Sequence, residues 1–255
     1  MLIVISPAKN LDCDGANNNI PMSEPRFLTK SKFIIKELKK LDTYAIGKLM
    51  KISDKLAILN KDRFQEWTES LDKAKHCLLA FKGDVYRALD VGSFTEEDLF
   101  YANSHLRILS GLYGVLRPFD GINEYRLEMG TKIKVNDNKD LYSFWGNDLR
   151  ECLIKELDTH SQKILINLAS QEYFKAVEGI EENSEIRIIT PVFKEWRNGQ
   201  YKIISLNAKR ARGLMSRYII QNQIEDIEMI KNFSEEGYSF NKEMSTENQW
   251  MFIRE

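Results

Sequence analysis

The pattern of apolar and polar positions along the chain predicts a mixture of strands and helices. Three short apolar runs are typical of buried strands: residues 2–5, 77–81 and 164–169. Apolar residues recur at helical spacing over four longer segments: 27–41, 46–67 (as one or two helices), 145–157 and 208–220. The pattern therefore indicates that both kinds of element contribute to the core.

Cap residues indicate where some of these helices begin and end. Thr95-Glu96-Glu97-Asp98 resembles a capping box and predicts a helix that runs to about Ser110, where Gly111 would stop it. Ser53 and Ser170 stand at positions where helix N-caps are expected.

Asn198-Gly199 is the clearest local signal in the chain. Runs rich in β-formers at residues 186–196 and 200–206 flank it, and this pattern predicts a hairpin closed by a type I′ turn. A second strand pair is expected at residues 238–240 and 250–253.

The strands and helices do not alternate regularly, and no repeat or low-complexity linker divides the chain. Hydrophobic residues make up 43% of the sequence, which is enough for a sizeable core. We therefore expect one compact α+β domain over residues 1–255, with a central mixed sheet and surrounding helices. Residues 13–25 are polar and predict a surface loop.

The segment 208–220 is amphipathic and basic. One arc of this predicted helix is apolar and carries Ala208, Ala211, Leu214, Met215, Tyr218 and Ile219. The opposite arc carries four cations: Lys209, Arg210, Arg212 and Arg217. Cations with no carboxylate between them favour an anionic partner, and a solvated outer face is the alternative.

The overall charge limits what kind of anion binder this chain can be. Its formal net charge is −1, which excludes a globally basic coat for nucleic acid but leaves room for a basic cleft. Carboxylates cluster in segments away from the cations: residues 96–98, 181–182, 225–228 and 235–236.

The cysteines and the hydropathy indicate the compartment. Cys13, Cys77 and Cys152 are odd in number and lack Cys-x-x-Cys spacing, which suits a reducing environment and gives no disulfide framework. The chain shows no secretory signal and no apolar stretch near 20 residues. We therefore expect a cytoplasmic protein without a membrane span.

Six short stretches place Lys or Arg beside Gly, Pro, Ser or aromatic residues near the ends of elements: 6–9, 51–55, 81–86, 113–118, 125–130 and 173–175. Cations next to rings can hold phosphate while the ring stacks on a base. Each stretch alone also fits a turn with a solvated lysine. Together with the basic helix they favour an anion-binding surface.

Residues 109–118 carry a further DNA-binding signal. Ser110-Gly111 and Gly114, after a predicted helix, resemble a helix-hairpin-helix turn, which directs backbone N–H groups at a DNA phosphate. Two residues separate the glycines where that motif usually has one. A helix stopped by glycine and followed by a strand is the alternative.

Signals for catalysis or metal binding are weaker. Asp54, Asp84, Asp120 and Glu128 are acid or base candidates, or else ion-pair partners of neighbouring cations. The three histidines lack metal-ligand spacing, and His105 is expected to be packed in a helix. No phosphate-loop or dinucleotide fingerprint occurs. We therefore expect no metal and no cofactor, and Cys13 is either a low-pKa thiol or an incidental surface cysteine.

Taken in order, these stretches resemble the YaaA peroxide-stress family. The resemblance rests on residues 5–9, 52–57, 80–86, 109–118, 125–130, 166–170 and 209–217, and it covers essentially the whole chain. It implies a cytosolic bacterial protein that helps cells survive hydrogen peroxide and is linked to limiting free intracellular iron. It also implies DNA binding through a positively charged cleft and a helix-hairpin-helix. Cys13 departs from the aromatic residue expected there.

The resemblance places the DNA-binding cleft on ten cations: Lys9, Lys55, Lys82, Arg117, Arg126, Lys175, Lys209, Arg210, Arg212 and Arg217. Ser110, Gly111 and Gly114 carry the helix-hairpin-helix. The leading hypothesis is a peroxide-response protein that binds duplex, bubbled or branched DNA. The alternative is an enzyme that acts on a nucleotide, a nucleic acid or another phosphorylated substrate in the same cleft.

Overall fold

The computed structural model of the protein describes residues 1–13 and 20–255. Its strands are β1 (Leu2–Ile5), β2 (Asn10–Leu11), β3 (Lys75–His76), β4 (Phe81–Lys82), β5 (Leu106–Ser110), β6 (Gly114–Leu116), β7 (Gly121–Ile122), β8 (Ile164–Leu168), β9 (Arg187–Arg197), β10 (Gln200–Lys202), β11 (Ser239–Asn241) and β12 (Gln249–Arg254). Residues 14–19 of the predicted loop at 13–25 lie outside the described residues.

The α-helices are α1 (Leu28–Lys39), α2 (Thr43–Met50), α3 (Asp54–Glu66), α4 (Cys77–Ala80), α5 (Asp84–Leu89), α6 (Glu96–His105), α7 (Leu141–Trp145), α8 (Asp148–Leu157), α9 (Gln171–Phe174) and α10 (Ser205–Gln221). Short 3₁₀ turns occupy Val91–Ser93, Lys175–Val177, Ile180–Glu182, Ile227–Asn232 and Glu235–Gly237. The expected α+β class is confirmed.

A mixed sheet forms the centre of the fold. Within the described part of the chain its strands follow the order β11-β12-β9-β8-β1-β5-β6, and β10 pairs with β9. The strands from β12 to β5 in this order are parallel, while β6, β10 and β11 add antiparallel edges. All four residues of β1 are buried, as expected for a central parallel strand covered by helices on both faces.

The order of the strands reverses beside β1. From β1 the chain crosses to β5 on one side, and it later returns to β8 on the other side of β1. Parallel strands that diverge in this way leave a crevice outside their carboxyl ends, where α/β proteins commonly bind ligands. The gap between the ends of β1 and β8 is therefore the expected position of a ligand site.

Four predictions from local signals are confirmed. Asn198 and Gly199 have φ angles of 51° and 80° and close the hairpin of β9 and β10, as a type I′ turn requires. Thr95 and Asp98 form a reciprocal capping box at the start of α6. The basic segment is the helix α10, and the C-terminal strand pair is β11 and β12.

The predicted helix from 95 to 110 is wrong in its last five residues. Helix α6 ends at His105, and residues 106–110 form β5, which pairs with β1 through Ile3–Leu106 and Ile5–Ile108. A run of five residues of which three are apolar fits either element, so the pairing partner decides between them.

The strand expected at 77–81 is also wrong. Residues 77–80 form one helical turn, and only Phe81 continues into a strand. The Cys77 N–H donates to the Asp120 carbonyl at 2.8 Å and not to a neighbouring strand. The apolar run at 77–81 thus indicated burial correctly but not the type of element.

Candidate anion-binding cleft

A cavity of about 370 Å³ opens at the carboxyl ends of β1 and β8, where the strand order reverses. Segment 6–10, which follows β1, forms one wall, and residues 82–86 at the start of α5 form another. Ser170 and Tyr173, which follow β8, and Lys209 and Arg212 on α10 complete it. Glu128 lines it as well, so the cavity combines five segments that are distant in sequence.

Hydrogen bonds between these segments fix the base of the cavity. The Ser170 N–H donates to Ser6 Oγ at 2.8 Å, and Ser6 Oγ lies 3.3 Å from Ser170 Oγ. The buried Tyr86 hydroxyl donates to the Ser6 carbonyl at 3.0 Å. Two hydroxyl groups therefore sit where the two parallel strands end.

Four of the predicted DNA-binding cations line this cavity, and two of them have carboxylate partners. Lys9 Nζ lies 2.8 Å from Glu128 Oε2, and Lys82 Nζ lies 3.9 Å from Asp12 Oδ2. The side chains of Lys209 and Arg212 form no ion pair or hydrogen bond with any residue in the described ranges. These two cations are one helical turn apart on α10, so they face the cavity together.

Arg212 is the more enclosed of the two unpaired cations. Its side chain is partly buried, and burial lowers the pKa of its guanidinium from the ordinary value. A guanidinium withdrawn from water without a partner keeps its hydrogen-bonding capacity for a ligand. A phosphate oxygen in the cavity would satisfy it.

Helix α10 reaches this position because it packs very closely on α5. A Cβ atom at Gly213 would collide with the Val85 carbonyl oxygen and would come within 2.8 Å of Ala88 Cβ. Glycine therefore allows the close approach that brings Lys209 and Arg212 to the cavity.

The carboxylates that line the cavity are held by other groups. Glu128 pairs with Lys9 and lies 3.6 Å from Arg126, and Asp84 pairs with Arg87. Glu172 accepts a hydrogen bond from the Gly130 N–H at 2.9 Å. Each carboxylate is thus engaged in fixing its surroundings.

Two further cavities adjoin the central one. Glu128 and Glu172 also line a cavity of about 600 Å³ that contains Arg126. Arg212 also lines a cavity of about 830 Å³ that contains Lys175, whose Nζ lies 5.1 Å from the centre of the Tyr142 ring. Six of the ten predicted cations therefore line a groove made of three cavities that share lining residues: Lys9, Lys82, Arg126, Lys175, Lys209 and Arg212.

The other four predicted cations lie elsewhere. Lys55 is exposed on α3, and Arg117 binds Asp120 through its backbone N–H and its guanidinium, at 2.7–3.0 Å. Arg210 pairs with Glu236, and Arg217 lies 2.8 Å from Glu235. The acidic cluster 235–236 is separate from the basic helix in the sequence, but the chain folds back and the cluster neutralises one side of α10.

Comparison with known proteins identifies the family. The family described as peroxide stress protein YaaA matches residues 1–244. The chain belongs to that family. It is 55% identical over 255 residues to a UPF0246 protein of Clostridium beijerinckii, with 100% of this chain and 98% of that one covered. It is also 52% identical over 256 residues to a UPF0246 protein of Saccharophagus degradans, with 100% and 99% covered.

The helix-hairpin-helix expected in this family member is not found at Ser110, Gly111 and Gly114. These residues form the turn of the antiparallel hairpin between β5 and β6, and all three are buried. Gly111 is needed because a Cβ there would lie 2.5 Å from the Leu127 carbonyl oxygen, and Gly114 because its φ is +73°. The glycines serve packing inside the domain, and this burial withholds them from a DNA phosphate.

The surroundings of Cys13 and His105 indicate what each of these candidate residues does. Burial, followed by the charge of Glu124, raises the pKa of the Cys13 thiol to about 11, which overturns the hypothesis of a low-pKa thiol. His105 is packed as predicted, with its ring stacked 4.0 Å from the Tyr101 ring.

In the described ranges no group of three or more His, Cys, Asp or Glu side chains is placed to hold a metal ion. No helix in these ranges is long and apolar enough to cross a bilayer.

Sequence reasoning did not predict that two serine hydroxyls form the floor of the cavity. Ser6 appeared only as part of a cation-bearing stretch and Ser170 only as a helix cap, although Ser170 does not cap α9 with its side chain. A serine directly after each of two apolar runs was the available signal. It becomes meaningful only once β1 and β8 are known to be neighbours.

Proposed function

We propose that this protein binds nucleic acid through the cationic cleft as part of the cellular response to peroxide. The observation that carries the proposal is the pair of unpaired cations, Lys209 and Arg212, at a cavity where the strand order reverses. The family supports the link to peroxide stress.

The surroundings of the two cations favour phosphate as their ligand. Phosphate oxygens accept hydrogen bonds from Lys and Arg, and the Ser6 and Ser170 hydroxyls can add neutral donors. The cations extend beyond the central cavity along the groove, to Arg126 on one side and Lys175 on the other. A polyanion fits such a distribution better than a single phosphate does.

The cleft favours binding over catalysis. A general acid or base would need a carboxylate free to exchange a proton with the substrate. Here Glu128, Asp84 and Glu172 are each engaged with a cation or a backbone N–H. An enzyme acting on a phosphorylated substrate is the second candidate, and the location of the cavity at the strand reversal favours it.

Binding of this kind would depend on backbone phosphates and on the shape of the nucleic acid. Duplex, bubbled and branched DNA are therefore the substrates to compare, because groove cations give affinity with little base readout. The resemblance extends the proposal to protection of DNA and to limiting free iron during peroxide stress.

The test measures affinity for duplex and bubbled DNA over a salt series. In the double variant Lys209→Ala/Arg212→Ala we expect weaker binding and a smaller salt slope. The slope should fall by roughly one unit for each phosphate that the variant no longer neutralises, or about two in all. The cause is the smaller number of counterions released when the cleft binds DNA.

Arg210→Ala is the matched control, since it removes a charge from the same helix but its guanidinium is held by Glu236. Its salt slope should equal that of the wild type. An unchanged slope in the double variant, or an equal reduction in Arg210→Ala, would remove the cleft from the proposal. Turnover of a phosphorylated compound that stops in the double variant would favour the enzyme.

A further inference from the structure

The 830 Å³ cavity beside the cleft has an open sheet face as its floor. Asn167 on β8, Thr190 and Val192 on β9, and Gln249 and Met251 on β12 line it together. Gln249 lies opposite Thr190 and Met251 lies opposite Val192 in the sheet register. The floor therefore spans three adjacent strands.

The floor is ordered in rows of different chemistry. Asn167 Nδ2 donates to Thr190 Oγ1 at 3.3 Å, and Gln249 extends this polar row on the next strand. Val192 and Met251 form an apolar row beside it. Amide and hydroxyl groups next to an apolar strip can contact both the edge and the face of a base.

The same face of β9 continues to an exposed tryptophan. Pro191, Phe193 and Glu195 are buried on the opposite side, so the alternation of the strand places Trp196 in line with Val192 and Lys194. Trp196 is 48% exposed. It lies two residues beyond Lys194, the last residue of β9 that lines the cavity, and an exposed tryptophan on the same strand face favours a binding role.

The Trp196 ring is supported from one side and open on another. Tyr201 lies opposite it in the hairpin of β9 and β10, and the two ring centres are 5.0 Å apart at an interplanar angle of 70°. The tight turn at Asn198-Gly199 holds both rings. A fixed ring loses little entropy when another ring stacks on it.

Charges along the groove select for an anion. Lys175, Lys194 and Arg212 line it, and none of them forms an ion pair with a described residue. Two carboxylates, Glu178 and Glu181, line it as well, and Glu181 accepts a hydrogen bond from the Gly179 N–H. The unpaired cations outnumber the carboxylates, and Arg212 joins the groove to the central cleft.

We propose that this groove binds an unpaired single strand of nucleic acid, whose phosphates contact Lys194 and Arg212 and one of whose bases stacks on Trp196. The inference rests on the proposed function and deepens it by naming the form of nucleic acid bound beside the cleft. From Ile188 to Trp196 the strand β9 spans about 26 Å, at roughly 3.3 Å per residue. That length accommodates several nucleotides with their bases on the sheet, as in single-strand binding platforms.

Tryptophan fluorescence gives a direct test on the full chain. Trp196 is the exposed tryptophan of the four in the sequence, because Trp67, Trp145 and Trp250 are buried. Titration with an oligothymidylate of about 12 nucleotides should quench the emission to saturation. Trp196→Ala should weaken binding about 10-fold or more, since stacking on one base is lost.

Trp196→Phe separates stacking from folding. This variant should bind within a few-fold of the wild type while losing the fluorescence change. Tyr44→Ala is the matched control, because it removes an even more exposed aromatic ring, 78% exposed, from α2 outside the groove. Its affinity for the oligothymidylate should be that of the wild type.

The possible failures are distinguishable. Salt-dependent binding of duplex DNA without binding of the oligothymidylate would overturn this inference and leave the proposed function intact. Binding of neither would overturn both. Oligothymidylate binding that is unaffected by Trp196→Ala would also overturn the inference. So would fluorescence quenching that occurs when only the protein concentration is raised. That result would identify a second copy of the chain as the occupant of the groove.

Discussion

Glu195 is a buried carboxylate with four polar partners. Its oxygens lie 2.6 Å from Asn207 Nδ2, 2.8 Å from Arg254 Nη2, 2.9 Å from Arg197 Nη2 and 3.1 Å from the Tyr238 hydroxyl. Burial by itself raises the pKa of Glu195, but hydrogen bonds from Asn207, Arg197 and Tyr238 and the charge of Arg254 outweigh it and hold the pKa below 4.5. The residue ties the β9 strand to α10 and to the C-terminal strand.

A lowered carboxyl pKa makes stability depend on pH in a defined direction. The stabilisation from Glu195 is fully present above the unfolded pKa near 4.5 and is lost as the pH falls through the lower folded pKa. Glu195→Gln should reduce the free energy of unfolding by about 2 kcal/mol at neutral pH, because Arg197 loses its carboxylate partner and Arg254 keeps only Glu236, 3.7 Å away. The variant's free energy of unfolding should also fall less steeply as the pH is lowered. Denaturant titrations from pH 7 to pH 3 would measure this change.

Glu243→Gln is the control for this prediction, since Glu243 is exposed on the connection between β11 and β12. Its unfolding free energy should follow the wild-type pH curve. If Glu195→Gln also follows that curve, the ion-pair network contributes nothing to acid stability.

At the scale of elements, helix starts were easier to predict than helix ends. The capping box at Thr95 depends on side chains three residues apart, so the sequence contains the whole interaction. The end of α6 depends on β1, which lies about 100 residues earlier in the chain. The Asn198-Gly199 turn is also local in sequence, because it requires only two adjacent residues that tolerate positive φ.

Two of the three predicted N-caps, Thr95 and Ser53, allow this local energy to be measured. Thr95→Ala should destabilise the protein by about 1 kcal/mol, because the Asp98 N–H loses its acceptor at 3.2 Å. Ser53→Ala is the matched comparison, since Ser53 occupies the N-cap of α3 without a side-chain hydrogen bond to the helix. Its effect on thermal or denaturant unfolding should be close to zero, and equal destabilisation in both variants would contradict the capping argument.

At the scale of the whole molecule, the cleft results from the order of the strands and from one close helix contact. The parallel neighbours β1 and β8 bring Ser6 and Ser170 together from positions 164 residues apart. The approach of α10 to α5 then adds Lys209 and Arg212. Glu235 and Glu236 neutralise the other side of the same helix, so only part of its charge is available for a ligand.

Gly213→Ala tests whether this packing supports binding. The added methyl group should push α10 away from the Val85 carbonyl oxygen, destabilise the fold by about 1–3 kcal/mol, and weaken DNA binding although no charge is removed. Gly47→Ala is the control, because a Cβ there meets its neighbours at an ordinary 3.6 Å within α2. It should be neutral or slightly stabilising. Normal DNA affinity in the folded Gly213→Ala variant would separate the helix contact from the binding site.

The sequence alone determined the features whose interactions are short in range: the class of fold, the basic helix, the hairpin at Asn198-Gly199 and the capping box at Thr95. It also carried the family, because the motifs occur in order along the whole chain. The tertiary structure decided which cations share a groove, why Gly111 and Gly114 are buried in a hairpin, and how Trp196 aligns with the sheet floor. Those outcomes depend on strand pairing and helix packing between distant segments. The periodicity of apolar residues along the sequence does not specify which of these segments come together.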